Sequence, residues 1–332
     1  PPSAKITQFI QESENREPPA ESGRGLRFGL TGNLKKPYNG NRKGRILRKA
    51  GGRTKVTRAA AGCAAAARMK RRPPEEKRRA NDRAETISVD ANQLKLIAIV
   101  AMTVDHIAWL LFPGYAAGAV PIVMHIIGRI TCPVMCFFIA EGFHYTRDRK
   151  KYALRLFMLA VVSHFAYMLA SNSYADWHSF IPFYYGDVLN QTSVVWSLLG
   201  GLLMLWLCED EKRSMGVKVA GILLICLITL PSDWSCIAAL CVLSIGSNRG
   251  EPKKQIAWSL FYVAIYAVVY FFALDKLYGL LQLCVVLAIP LLALYNGKRG
   301  KNPAVNKVMK RLFYIYYPLH LFIIGLIQLQ IR

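Results

Sequence analysis

The chain has 332 residues, of which 53% are hydrophobic and 19% charged, and its formal net charge at pH 7 is +23. The charge is uneven, because residues 1–88 hold 22 Lys and Arg against 8 Asp and Glu. Apolar runs near 20 residues fill the rest of the chain, about the length that crosses a hydrocarbon core of ~30 Å. These features exclude an ordinary soluble enzyme, a collagen-like chain and a disulfide scaffold.

The first predicted element is a basic head, residues 1–88, which has no apolar periodicity and is expected to be disordered. Its first methionine is Met69, so one interpretation is that residues 1–68 are upstream sequence that is not natively translated. Basic runs such as 41–45 and 70–74 also fit contact with anionic lipid or weak contact with nucleic acid. Basic runs beside a first membrane helix are expected from membrane topology alone. No nucleic-acid partner is expected.

The second predicted domain, residues 89–332, is an all-α transmembrane bundle. This part of the chain consists of apolar runs separated by short polar segments, a pattern that predicts nine membrane spans. They cover about 94–112, 119–143, 152–171, 188–208, 216–231, 233–246, 256–274, 277–295 and 312–331. The fifth and sixth are short and meet at a turn around residues 231–233, which suggests a tight hairpin.

Loop charges predict the orientation of this bundle. Alternate loops hold sixteen Lys and Arg, against two in the other loops and the C-terminal end. The sixteen are Arg147, Arg149, Lys150, Lys151, Lys212, Arg213, Lys218, Arg249, Lys253, Lys254, Lys298, Arg299, Lys301, Lys307, Lys310 and Arg311; the two are Lys276 and Arg332. The positive-inside rule then places the N-terminus in the cytoplasm and the C-terminus outside, in a membrane expected to be the bacterial inner membrane.

Ionisable residues inside spans are costly and usually functional. Asp105 and His106 are placed ~17 Å from the cytoplasmic side and Arg129 ~15 Å from the outer side, at 1.5 Å per residue. His125 lies one turn from Arg129, and His164 is ~18 Å deep in the third span. We expect these groups to form one layer near the midplane.

Each of these residues also has a structural interpretation. Asp105 and Arg129 can be a buried ion pair that fixes packing, and His125 and His164 can be ordinary polar packing groups. Glu141 can lie at the membrane boundary, whereas His320 is expected ~12 Å from the cytoplasmic side. No metal site is expected, because Cys132 and Cys136 lack a second pair of ligand spacing.

Several motifs, in this order, resemble the TraX family of membrane proteins over about residues 92–325. The first motifs are residues 94–99, then Asp105-His106-Ile107, 127–130 and 138–143. The pattern continues at 151–156, 294–300 and 313–321. The family namesake acetylates the N-terminus of conjugative F pilin.

The resemblance implies an acyltransferase that carries an acetyl or other acyl group from cytoplasmic acyl-CoA to an amine or hydroxyl. His106 would then be the base, oriented by Asp105 or by a carboxylate from another helix, and Arg129 would stabilise negative charge. His320 and Tyr317 would complete the site. Glu141 would give support, and Lys298 and Arg299 would hold the CoA phosphates.

The expected partners are membrane lipid and an acceptor polypeptide or glycan, whose identity the resemblance leaves open. Two other functions remain possible from the sequence. One is a proton-coupled transporter with a midplane relay of His, Asp and Arg. The other is a structural membrane component of a conjugation apparatus, in which the polar layer serves assembly.

Overall fold

A computed structural model describes residues 88–171, 181 and 192–331, so the prediction of a disordered head falls almost entirely outside the described residues. The described part is all-helical, as predicted, and holds no β-strand. A 3-10 helix covers Gln282–Leu287. The α-helices are α1 Ala91–Leu111, α2 Ala119–Gly128, α3 Thr131–Tyr145, α4 Arg149–Ala170, α5 Val195–Glu209, α6 Met215–Thr229, α7 Ser235–Ser247, α8 Pro252–Ala273, α9 Lys276–Leu281, α10 Ala288–Ala293 and α11 Pro303–Ile331.

Within the described residues, six helical segments are long and apolar enough to cross a membrane: Ala91–Leu111, Ala119–Tyr145, Arg149–Ala170, Pro252–Ala273, Lys276–Ala293 and Pro303–Ile331. The nine predicted spans are therefore not confirmed. The other three apolar helices, α5, α6 and α7, have 15, 15 and 13 residues. At 1.5 Å per residue they are ~20 to 22 Å long, shorter than a ~30 Å hydrocarbon core. Hydropathy marks these runs as apolar, but it does not fix where each helix begins.

Local sequence explains where two helices begin or divide. Asp90 caps α1, because its carboxylate accepts the N–H groups of Asn92 and Gln93 while the Gln93 side chain accepts the N–H of Asp90. Pro133 has no N–H for the carbonyl of Arg129, four residues earlier. The long segment is divided there into α2 and α3, which places Arg129 at the junction.

The four most basic loops lie at one end of the bundle. The Arg149 side chain at the start of α4 forms an ion pair with Glu209 at the end of α5. The end of α3 lies beside the end of α7, where a ring nitrogen of His144 is 3.1 Å from the Gly246 carbonyl. At the start of α1, the Ala91 N–H donates to the Lys298 carbonyl over 3.0 Å. We call this the basic end, and the opposite end, where α1 stops and α2 starts, the distal end.

Helix α7 lies at the centre of the bundle, packed against α3, α5 and α8, and most of its residues are buried. Helix α11 packs on α4 and α1. Helix α6 is peripheral, and aliphatic side chains such as Leu223, Leu224 and Leu227 are exposed on it. This pattern is the one expected for a bundle that faces lipid, where an exposed apolar surface carries no penalty.

Candidate functional site

Two histidines that are distant in sequence meet between α1 and α11. The Nδ1 atom of His106 and the Nε2 atom of His320 are 3.2 Å apart. Each Nδ1 also lies 2.9 Å from a carbonyl oxygen one turn earlier, that of Met102 for His106 and that of Tyr316 for His320. His320 is buried, and His106 is half-buried.

These contacts determine which nitrogens carry protons when both rings are neutral. A carbonyl oxygen only accepts, so Nδ1 of His320 donates to Tyr316 and its Nε2 is left as an acceptor. His106 therefore donates from Nδ1 to His320 and to the Met102 carbonyl. The remaining nitrogen of His106, Nε2, then holds a lone pair and can accept a proton.

The His320 ring is fixed by aromatic neighbours. Tyr316 stacks on it at 5.2 Å between centroids with an interplanar angle of 9°, and Tyr317 meets its edge at 5.5 Å. The Tyr316 hydroxyl is 2.6 Å from the hydroxyl of Thr103 on α1. Tyr317 was predicted to belong to the site, but Tyr316 and Thr103 were not. A hydroxyl contact between helices that are distant in sequence leaves no pattern in the sequence around either residue.

Asp105, next to His106, points to a second set of groups. Its Oδ1 atom accepts from Nδ1 of His125 over 2.8 Å and lies 3.4 Å from a terminal nitrogen of Arg129. The other terminal nitrogen of Arg129 donates to Gln282 over 3.2 Å, and the guanidinium lies 5.6 Å from the centre of the Trp234 ring. Asp105 therefore neutralises Arg129 rather than orienting His106 by a hydrogen bond.

We call Asp105, His106, Arg129 and His320 the polar centre. Gln282 and Trp234 were not predicted to join it, although a lone Gln inside an apolar run was an available signal. The expected midplane layer is shifted toward the distal end, since His106 is fifteen residues from Ala91 but only five from Leu111. Those separations are ~22 Å and ~8 Å.

Gly128 allows α1 and α2 to approach closely enough for this geometry. A Cβ atom at Gly128 would overlap the Cβ, Cγ and Oδ1 atoms of Asp105. Any other residue would push the carboxylate away from its partners. Gly128 thus lets α1 and α2 approach each other closely, and Arg129 beside it supplies the positive charge that Asp105 neutralises.

An aromatic cluster covers the distal side of the polar centre. The His125 ring lies 4.7 Å from that of Trp109 and 5.1 Å from that of Tyr278. Nε2 of His125 is buried and makes no hydrogen bond to the described residues. His125 therefore packs among these aromatic rings while its Nδ1 contacts the Asp105 carboxylate.

The other predicted residues lie elsewhere. Nδ1 of His164 is 2.9 Å from the hydroxyl of Thr192. Glu141 lies near the basic end, where its carboxylate accepts from Nε of Arg249 over 3.1 Å. Burial lowers the pKa of the Arg249 guanidinium, but the Glu141 carboxylate raises it by more, so the net pKa is above its ordinary value and Arg249 stays charged.

Lys298 and Arg299 lie in the loop that meets the start of α1 at the basic end. Arg299 interacts electrostatically with Lys95, whose ammonium lies 5.0 Å from the ring centre of Phe138. Cations collect at this point, a typical arrangement for binding an anion. His106 is ~22 Å farther along α1.

An apolar cavity of about 70 Å³ is lined by Trp234 and lies between α3, α7, α8 and α10. Three thiols, those of Cys132, Cys136 and Cys241, contribute to its wall. Two polar side chains line it: the Gln255 amide donates to the Ile245 carbonyl over 2.7 Å, and the Ser259 hydroxyl lies 3.4 Å from that of Ser244. The cavity suits only an apolar group.

Comparisons with known proteins agree with the resemblance seen in the sequence. The profile of the TraX protein family matches residues 90–328. The chain is 28% identical over 247 residues to the "Probable fimbrial assembly protein FimC, serogroup H1" of Dichelobacter nodosus, covering 72% of this chain and 95% of that protein. It is 45% identical over 51 residues to an uncharacterised protein of Rickettsia prowazekii (strain Madrid E), covering 15% of this chain and 18% of that protein. No solved structure matches the chain.

Proposed function

The chain belongs to the TraX family, and from that premise we propose that it is an integral membrane acyltransferase. It would carry an acetyl or other acyl group from acyl-CoA to an amine or hydroxyl of an acceptor. The observation that carries the proposal is the contact between His106 and His320, which leaves one imidazole nitrogen available as a base. The name of the fimbrial relative makes a pilin-like polypeptide the first acceptor to test.

The proposed step conserves atoms and charge. Nε2 of His106 takes the proton of the acceptor N–H or O–H as the acceptor attacks the thioester carbonyl. The carbon–sulfur bond then breaks, and the CoA thiolate takes that proton to leave as the free thiol. His320, which accepts from Nδ1 of His106, holds the imidazole in the required tautomer.

Arg129 would provide the positive charge that stabilises the oxyanion formed at the thioester carbonyl. Its guanidinium is held by Asp105 and Gln282, so the charge is in place before the acyl group arrives. The apolar cavity lined by Trp234 would receive the apolar end of the acyl group. Lys298 and Arg299 would hold the CoA phosphates at the basic end, with the pantetheine arm extended along α1.

The grouping of the basic loops at one end supports the proposal that the basic end faces the cytoplasm. The N-terminus is then inside and the C-terminus outside. This loop pattern requires an odd number of crossings. It is satisfied by nine crossings, or by seven if the hairpin of α6 and α7 enters and leaves from the same side.

The test is release of CoA thiol by the purified full chain in lipid nanodiscs, with acetyl-CoA and a peptide that has a free N-terminus. Replacing a positioned general base costs about 10² to 10⁴ in rate, so His106→Ala should lose nearly all turnover. His144→Ala is the matched control, because this histidine contacts Gly246 at the basic end. Full activity of His106→Ala would refute the mechanism, and no thiol release by the wild type with amine or hydroxyl acceptors would refute the function.

A further inference from the structure

Lys95 lies inside α1, one turn beyond Ala91 at the start of the helix. Its ammonium is 5.0 Å from the ring centre of Phe138 on α3 and 5.5 Å from that of Phe313 on α11. These two rings also meet each other, with centroids 6.4 Å apart. A lysine that only marks the membrane boundary extends its ammonium into water, so a boundary role does not account for the contacts with two rings.

The loop between α10 and α11 is held against the first turn of α1. The Ala91 N–H donates to the Lys298 carbonyl over 3.0 Å. The side chain of Asn92 lies so close to Gly300 that a Cβ atom at that glycine would overlap it. Arg299 is the residue between these two loop positions, so the backbone holds it at the start of α1.

A third cation comes from α11. Lys310 lies one turn before Phe313, whose ring contacts the Lys95 ammonium. Residues three apart on a helix are neighbours on one face. Both Arg299 and Lys310 interact electrostatically with Lys95. We call Lys95, Arg299 and Lys310 the cation cluster; it lies where α1, α11 and the loop between α10 and α11 meet.

Carboxylates of the described residues do not neutralise Lys95 or Arg299. No carboxylate oxygen in that part of the chain lies within 4 Å of a charged nitrogen of either residue. The Asp90 carboxylate, at the start of α1, accepts the N–H groups of Asn92 and Gln93. Lys95 makes no hydrogen bond to the described residues, so its three N–H donors can serve an anion.

The cation cluster is in line with the polar centre. Lys95 and His106 are eleven residues apart, or three helical turns, so they share the face of α1 that packs against α11. Their separation along the helix is ~16 Å. Thr103 lies between them on this face, with its hydroxyl 2.6 Å from that of Tyr316. A ligand held at Lys95 can therefore extend along one helix face to His106.

We propose that the cation cluster binds the phosphate groups of a ligand, and that Lys95 donates to them directly as a further binding residue beside Arg299. A diphosphate supplies the negative charge and the acceptor oxygens that an ammonium and a guanidinium bind well. The alignment with His106 favours CoA as the source of the phosphates, and this choice rests on the proposed function. The other source is the head group of an anionic lipid.

The test is binding of CoA to the full chain in phosphatidylcholine nanodiscs, measured by isothermal titration calorimetry. A hydrogen bond to a charged group changes Kd by about 10- to 100-fold, so Lys95→Gln should weaken CoA binding by that factor. Lys253→Gln is the matched control, because it removes one positive charge from an exposed side chain at the basic end and should leave Kd unchanged.

Pantetheine separates phosphate binding from a structural role of Lys95, because it shares the thiol arm of CoA but lacks the diphosphate. It should bind the wild type and Lys95→Gln equally. Equal weakening of CoA and pantetheine would show that the substitution only distorts the bundle, and would overturn the proposal. If Lys95→Gln does not fold, Arg299→Gln provides the same comparison, because the Arg299 side chain is exposed.

A second arm distinguishes the two phosphate sources. Nanodiscs that also contain phosphatidylglycerol are analysed by native mass spectrometry, which counts the phosphatidylglycerol retained by the protein. A loss of retained lipid in Lys95→Gln but not in Lys253→Gln, with CoA binding unchanged, would support the site and assign it to a lipid head group. Absent or unchanged binding of both ligands overturns the proposal. Binding of CoA that depends on Lys95, without thiol release, would refute acyl transfer and keep this site.

Discussion

Replacing Gly128 by Ala should destabilise the bundle, because the added methyl group displaces the Asp105 carboxylate. The new methyl group would overlap the Asp105 side chain, and forcing extra volume into a packed interior costs about 1 to 3 kcal/mol. If Asp105 moves, Arg129 loses the partner of its buried charge, and breaking a buried ion pair costs about 3 to 5 kcal/mol. Asp105 is 17% exposed, so we expect a total near 3 kcal/mol rather than the sum of both ranges.

The assay is thermal unfolding in detergent. A loss of 1 kcal/mol lowers Tm by about 2 to 4 °C in a chain of this size, so Gly128→Ala should melt ~6 to 12 °C below the wild type. Gly216→Ala is the matched control, because a Cβ atom there meets nothing within 4 Å. Equal melting temperatures for the two variants would refute the claim that Gly128 holds Asp105 against Arg129.

Three smaller predictions use the same melting assay. Ser235→Gly should raise stability by up to about 1 kcal/mol because the left-handed backbone at that position favours glycine, and a fall in Tm would show that the serine side chain contributes more. Glu141→Gln should cost about 0 to 1 kcal/mol, since its pair with Arg249 lies near the surface, and it should leave CoA release unchanged. Tyr316→Phe should cost about 1 kcal/mol by removing the contact with Thr103, while keeping the stacked ring; a larger loss would implicate the hydroxyl in more than that bond.

Sequence patterns predicted the helical fold because lipid-facing helices need apolar runs, and such runs can be counted. The count of nine spans is not confirmed, because a run of 15 apolar residues reads the same in a full span and in a helix too short to cross a ~30 Å hydrocarbon core. Helix α7 illustrates this point: Trp234 at its start contacts Arg129 and Gly246 near its end contacts His144, and both partners are distant in sequence.

The polar centre was only partly predictable, for a related reason. Asp105, His106, Arg129 and His320 were found because ionisable residues are rare in apolar runs. The Asp105–Arg129 pair was one of the alternatives that the sequence left open. The contacts of Arg129 with Gln282 and Trp234 were not predicted, because they join helices that are distant in sequence.

The off-centre position of His106 also determines which face of the membrane lies nearer to it. In the proposed orientation the imidazole is ~8 Å from the outer end of α1 and ~22 Å from the cytoplasmic end, so the shorter path to it leads from the cell exterior. An enzyme of this kind would draw its acyl donor across most of the bilayer and receive its acceptor from the outer face.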